Sequence, residues 1–218
     1  MNFYAHAILS AETGACPRFV LGSMVPDFAT MVGSRLPRFQ DPVLQAGVDH
    51  HQAVDRVFHT APLFLQHMRR VGQAAEQTGV PSSSSEAIGH IGVELLLDGW
   101  LSELCPEHLP SYHAAVDLLA LHAELPTLAP HDKLLGLRGR LQSIPLPQAY
   151  SEPQFVLQVL ARILDKYPTM RFSSHTHPAL VQVLTEAKRT LASDALLFLS
   201  TVRQRLAQKT TTPSRTAL

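Results

Sequence analysis

"EAIGHIGVELLLDGWLSEL", residues 86–104, decides how this chain is read. The stretch is strongly apolar over its whole length, so it is expected to be a helix lying near the centre of the fold. Working upstream, "VPSSSSE" (80–86) reads as the start of that helix, with Ser83 and Glu86 spaced as a capping box. Residues 41–78 read as one or two helices, opened by Asp41 as N-cap and Pro42 in the first turn and closed near Gly79. "ACPRFVLGSMVPDFATMVG" (15–33) is interrupted by Pro17, Gly22 and Pro26, which predicts a short helix or turn beginning near Pro26. "NFYAHAILSAE" is a first helix ending near Gly14. Downstream, helices are expected at about 111–124, 131–143, 152–166 and 178–207, followed by a flexible tail over 208–218. Alternating strand patterns and internal repeats are absent. The predicted architecture is all-α, a single-domain helical bundle over residues 1–207.

The 218 residues are 45% apolar, enough for a sizeable core. Eighteen basic residues balance eighteen acidic ones, which argues against broad electrostatic binding of nucleic acid. Cys16 and Cys105 are the only cysteines and lack metal or redox spacing, so a disulfide framework is not expected and a reducing cytoplasm is the simplest compartment. No basic leader opens the chain, and no run approaches the roughly 18 apolar residues of a membrane span. Histidine is the unusual entry in the composition: there are 12, eight of them in residues 1–113.

Several of these histidines keep company with carboxylates. In "GVDHHQAVD" (47–55), His51 and Asp55 are four apart, and on a helix both can face one ion or one phosphate. His90, Glu94 and Asp98 repeat that spacing twice inside the apolar stretch quoted first. A buried carboxylate without a partner is unfavourable by several kcal/mol or becomes protonated. Compensation by a divalent cation or an arginine is therefore required. His6, between two alanines, and Asp27, where a turn would aim a carboxylate inward, join the set. A core histidine bonded to a carbonyl, or an aspartate capping a helix, is the plainer account of either one. His50 points some 100° away from His51.

The donors suit Mn²⁺, Fe²⁺, Zn²⁺ or Mg²⁺. No GxSxG, Walker loop or GxGxxG is present. Two functional classes follow. One is a metal-dependent phosphoric ester hydrolase: His6, Asp27, His51, Asp55, His90 and Glu94 hold one or two cations, with Asp27 and Asp55 as the catalytic carboxylates. His59 or Asp98 would orient those ligands, and Arg69, Arg70, Arg35 or Arg38 would hold phosphate or an acidic carrier surface. The other is a non-catalytic helical protein with a structural metal or a buried polar network.

"MNFYAHAILS" (1–10), "LGSMVPDF" (21–28) and "LQAGVDHHQAVDRVFHTAPLF" (44–64) resemble the opening of acyl carrier protein phosphodiesterases. The matching positions are Asn2, Phe3, Ala5 and His6; Gly22, Asp27 and Phe28; Gly47, His51, Asp55 and Pro62, with Arg69 and Arg70 matching less specifically. The likeness covers about the first 100 residues. It implies an all-α fold akin to HD-type phosphohydrolases. It also implies removal of 4′-phosphopantetheine from holo acyl carrier protein with a divalent metal, typically manganese, held by His6, Asp27, His51 and Asp55; a small phosphodiester is the other expected substrate. Two departures stand out. The family usually has an aspartate four residues after the position of Asp55, where this chain has His59. It also has an Asp-His pair seven residues before a tryptophan, where this chain has Val93 and Glu94 before Trp100. "LGSMVPDF" is also similar to a Gly-x-x-x-Pro-Asp segment of zinc-dependent phospholipase C-like proteins.

Overall fold

The computed structural model describes residues 1–121, 123 and 125–211. Among these the chain forms ten α-helices and no strand. They are α1 (Phe3–Ala11), α2 (Pro17–Val32), α3 (Pro42–Phe58), α4 (Pro62–Glu76), α5 (Ser82–Leu104), α6 (Leu109–Leu118), α7 (His131–Ser143), α8 (Pro153–Leu164), α9 (His177–Leu191) and α10 (Ala195–Thr211). None of them is long and apolar enough to cross a membrane.

Helix α5 packs against α1, α4, α8, α9 and α10. Its buried residues, among them Ile88, Val93, Leu96, Leu97 and Leu101, lie on all sides of its axis. Its glycines mark where other segments press closest. A Cβ on Gly89 would sit 2.4 Å from the Met68 carbonyl of α4, and one on Gly99 would sit 2.5 Å from the backbone at Tyr150 and Ser151. Helix α3 begins as the sequence suggests. The Asp41 carboxylate accepts from the Val43 and Leu44 N–H groups at 2.8 and 3.2 Å, satisfying two donors that the first turn leaves open.

Some elements depart from the local reading. Helix α2 runs without a break from Pro17 to Val32, with Pro26 inside it, so Asp27 projects from a helix and not from a turn. An internal proline is unfavourable by about 3 kcal/mol. Val20, Leu21, Met24, Val25 and Phe28 are almost completely buried on the same helix, and each such side chain contributes roughly 1.5–3 kcal/mol. Packing therefore outweighs the proline.

The serine run does not form a capping box either. Pro81 occupies the cap position, and Ser83 and Ser84 donate to the Thr169 and Met170 carbonyls at 2.9 and 2.8 Å, fastening α5 to a distant turn. The helix expected at 111–124 ends at Leu118. The one expected at 178–207 is two helices, α9 and α10, separated at residues 192–194, where Asp194 takes a bond from His67 of α4 at 2.8 Å. Helix α10 continues to Thr211; residues 212–218, most of the expected tail, lie outside the described residues.

Candidate metal centre

Four helices converge on one group of polar side chains. Helix α1 supplies His6; α2 supplies Ser23 and Asp27; α3 supplies His51 and Asp55, with His59 as its C-terminal cap; α5 supplies His90, Glu94 and Asp98. The α2–α3 crossing is as close as backbones allow. A Cβ on Gly22 would lie 2.2 Å from the Leu44 carbonyl, and one on Gly47 would lie 2.2 Å from the Phe19 carbonyl.

That approach lets the His51 Nδ1–H donate to the Ser23 carbonyl at 2.8 Å. The bond fixes the ring and leaves Nε2, 3.1 Å from Asp55 Oδ2, as the nitrogen facing the cluster. His6 Nε2 lies 3.1 Å from Asp55 Oδ1, and its ring stacks on that of His51 with centroids 3.8 Å apart. His6, Asp27 and His51 each bring one ligand-type atom within 4.8 Å of the others.

A second group, His59, His90 and Glu94, likewise brings one ligand-type atom from each residue within 4.8 Å of the others. His59 Nε2 donates to Glu94 Oε1 at 2.8 Å, and His90 Nε2 is 3.3 Å from the same oxygen. The Met1 ammonium lies between the groups, 2.9 Å from Asp55 Oδ1 and 3.3 Å from Glu94 Oε1. The polar faces of α3 and α5 therefore meet.

Electrostatics follow from this crowding. Burial opposes ionisation of Asp55, but bonds from His51 and His6 and the nearby ammonium outweigh it and hold the carboxyl well below the usual range. Glu94 is likewise held low against burial, by the ammonium and by His59 and His90. Burial, with His51 beside it, lowers His6 to about 3, so its imidazole stays neutral. Burial pushes Asp27 up to about 7 in spite of His51 and the ammonium.

Among the described residues, Asp27 Oδ2 and His6 Nδ1 are buried without a hydrogen-bond partner. A buried polar atom left so is unfavourable by about 1–3 kcal/mol. Two imidazoles and two carboxylates, with an orphaned carboxylate oxygen among them, are a donor set that fits a divalent cation.

Other residues singled out in the sequence do different work. Asp98 is fully buried and accepts from the Tyr4 and Ala5 N–H groups, each at 2.9 Å. It caps the first turn of α1 from a distance. Burial pushes its carboxyl up to about 8 against those two bonds. His59 bonds directly to Glu94 and so stands among the donors themselves. Arg69 and Arg70 are exposed on α4, and Arg70 pairs with Glu186 of α9 at 3.4 Å. His50 lies against Phe19, with ring centroids 5.5 Å apart.

The Ser23 carbonyl and the Met1 ammonium carry no side-chain signature, and only the α2–α3 glycines hint at the first. Comparison with curated proteins and with solved structures found no match. A family model described as acyl carrier protein phosphodiesterase matches residues 1–202, a span that holds every residue of both groups. The chain belongs to the acyl carrier protein phosphodiesterase family.

Proposed function

We propose that this chain is a divalent-metal-dependent phosphodiester hydrolase that releases 4′-phosphopantetheine from holo acyl carrier protein, with a small phosphodiester as the second substrate class. One observation carries the reading. His51 is locked by the Ser23 carbonyl so that Nε2 faces Asp55, His6 and the neighbouring Asp27, whose Oδ2 has no partner among the described residues. His6, Asp27, His51 and Asp55 would hold the cation, Mn²⁺ first and Fe²⁺, Zn²⁺ or Mg²⁺ after it. A divalent ion there supplies an acidified water near neutral pH and polarises a phosphoryl oxygen.

The protein's own residues do the rest. The Ser23 carbonyl keeps His51 in one tautomer. Asp55, held ionised, gathers both imidazoles. Asp27, raised to about 7, lies where a carboxyl exchanges protons near neutral pH. Asp55 is a quarter exposed, at 27%, which leaves solvent and substrate a way in. Arg69 and Arg70 would contact phosphate or the acidic carrier. Both cysteines are free, which supports a reducing cytoplasm.

The test is intact-mass detection of apo acyl carrier protein after incubating the holo form with metal-loaded enzyme. Asp55→Ala is expected to abolish turnover, whereas Arg69→Ala raises KM alone. A competing reading, a closed polar network without chemistry, draws on the fact that His6, His51 and His59 already have carboxylate partners. It prevails if metal-loaded protein leaves holo acyl carrier protein, bis-p-nitrophenyl phosphate and cyclic nucleotides intact.

A further inference from the structure

His59 closes α3 directly after Phe58, while His90 and Glu94 lie one turn apart on α5. Three side chains from two helices thus aim at one place. Both Nε2 atoms face Glu94 Oε1, at 2.8 and 3.3 Å. The ring of Phe64 lies 5.4 Å from that of His59 and 5.3 Å from that of His90, and Phe58 packs on His59 at 5.4 Å. This apolar wall backs the imidazoles and limits their rotation, the support that a preorganised site needs. Water reaches the other side: the side chains of His59 and His90 are 34% and 40% exposed.

We infer that His59, His90 and Glu94 form a second cation site, next to the His6–Asp27–His51–Asp55 group but built from different residues, that takes a first-row divalent transition ion. Two imidazoles and one carboxylate select Mn²⁺, Fe²⁺, Co²⁺ or Zn²⁺ over Ca²⁺ and Mg²⁺, which favour oxygen cages. Solvent access leaves coordination positions for water, unlike a closed structural site. The two sites are neighbours, because one ammonium touches both Asp55 and Glu94. Carboxylates from α3 and α5 share a single positive charge there, and cations at the two groups would take over that neutralisation from the ammonium. The inference adds a second ion to the proposed hydrolase, yet it stands or falls on its own donors.

The experiment is equilibrium dialysis of the full chain, freed of any affinity tag, against Co²⁺ and separately Mn²⁺. Bound metal is counted by mass spectrometry, and Co²⁺ ligation is followed by visible absorption. The unaltered chain is expected to hold two equivalents, His90→Ala one, and His51→Ala one with the absorption of the other site retained. His59→Gln, which keeps a hydrogen bond to Glu94, serves beside His90→Ala and is expected to lose the same equivalent. Circular dichroism checks that each variant is folded. The inference is overturned if the unaltered chain holds one equivalent that only His51→Ala removes, or if both triad variants keep two. If instead one equivalent is lost in the triad variants and kept in His51→Ala, the second site stands and the four-residue site of the hydrolase proposal falls.

Discussion

Gly22→Ala should damage stability and metal binding together. The added Cβ would lie 2.2 Å from the Leu44 carbonyl and 3.0 Å from the Gly47 Cα, both backbone atoms that no side-chain rotation can clear. Ordinary contact needs roughly 1 Å more, so α2 and α3 must move apart by about that much. The neighbouring residue on α2, Ser23, accepts the His51 Nδ1–H at 2.8 Å. Opening the crossing takes that bond to beyond about 3.5 Å, where it no longer counts as one.

Overpacking is unfavourable by about 1–3 kcal/mol and the lost bond by about 1 more, so a loss of about 2–4 kcal/mol is expected. Loosening the group that orients a ligand lowers metal affinity about 10–100-fold. Urea titration of the apo protein measures the first, and calorimetry with Mn²⁺ the second. Gly139→Ala is the control. Among the described residues nothing lies within 4 Å of its added Cβ on α7, and it should stabilise by up to about 1 kcal/mol. If Gly22→Ala stays within about 0.5 kcal/mol of the parent, the typical size of a neutral surface change, and keeps its metal affinity, the close crossing does not set the site.

Asp98→Ala strips the acceptors from two buried N–H groups of α1 and should lower stability by about 2–5 kcal/mol; Asp98→Asn keeps one acceptor and should fall between, as urea midpoints will show. Asp27→Asn should lose metal yet stabilise the apo protein at pH 8. The folded carboxyl, raised from 3.8 to about 7, makes the parent lose stability as pH climbs through that window, on the order of 4 kcal/mol; an apo Asn variant weaker than the parent at pH 8 contradicts this. His6 has the opposite sign, since its folded value of about 3 lies below the unfolded 6.5. Its contribution is complete above pH 6.5 and is lost as pH falls toward 3. In chelator, the urea midpoint of the parent should drop more steeply between pH 6.5 and 4 than that of His6→Gln, and parallel curves would remove His6 as the cause.

The centre of the fold was legible because α5 is apolar apart from one line of polar residues, and the His51–Asp55 and His90–Glu94 pairs because helical spacing puts four-apart residues on one face. Which faces meet was not legible, since spacing along one helix says nothing of its neighbour. Pro26 misled for the same reason: local chemistry forbids what the packing of α2 against α3 enforces. The break between α9 and α10 has no glycine or proline to announce it, and its polar partner His67 is 127 residues away in sequence.

The departures from the family pattern acquire a meaning only in three dimensions. By the resemblance drawn from the sequence, His59 would stand in place of an aspartate and Glu94 in place of a histidine. The two side chains bond to each other at 2.8 Å, so on that resemblance the pair would keep one imidazole and one carboxylate across the α3–α5 contact.

Trp100, the only tryptophan, donates its indole N–H to the Lys188 carbonyl of α9 at 2.8 Å, with the Lys188 ammonium 5.2 Å from the ring centroid. Nature has thereby placed a single fluorophore at the seam where the helix bearing His90 and Glu94 meets the C-terminal half. Its emission senses that seam alone, whereas far-ultraviolet dichroism senses every helix. An optical experiment can therefore separate loosening of the α5–α9 seam from unfolding of the helices as a whole without any label. If residues 1–207 behave as one cooperative body, the two signals trace the same denaturation curve.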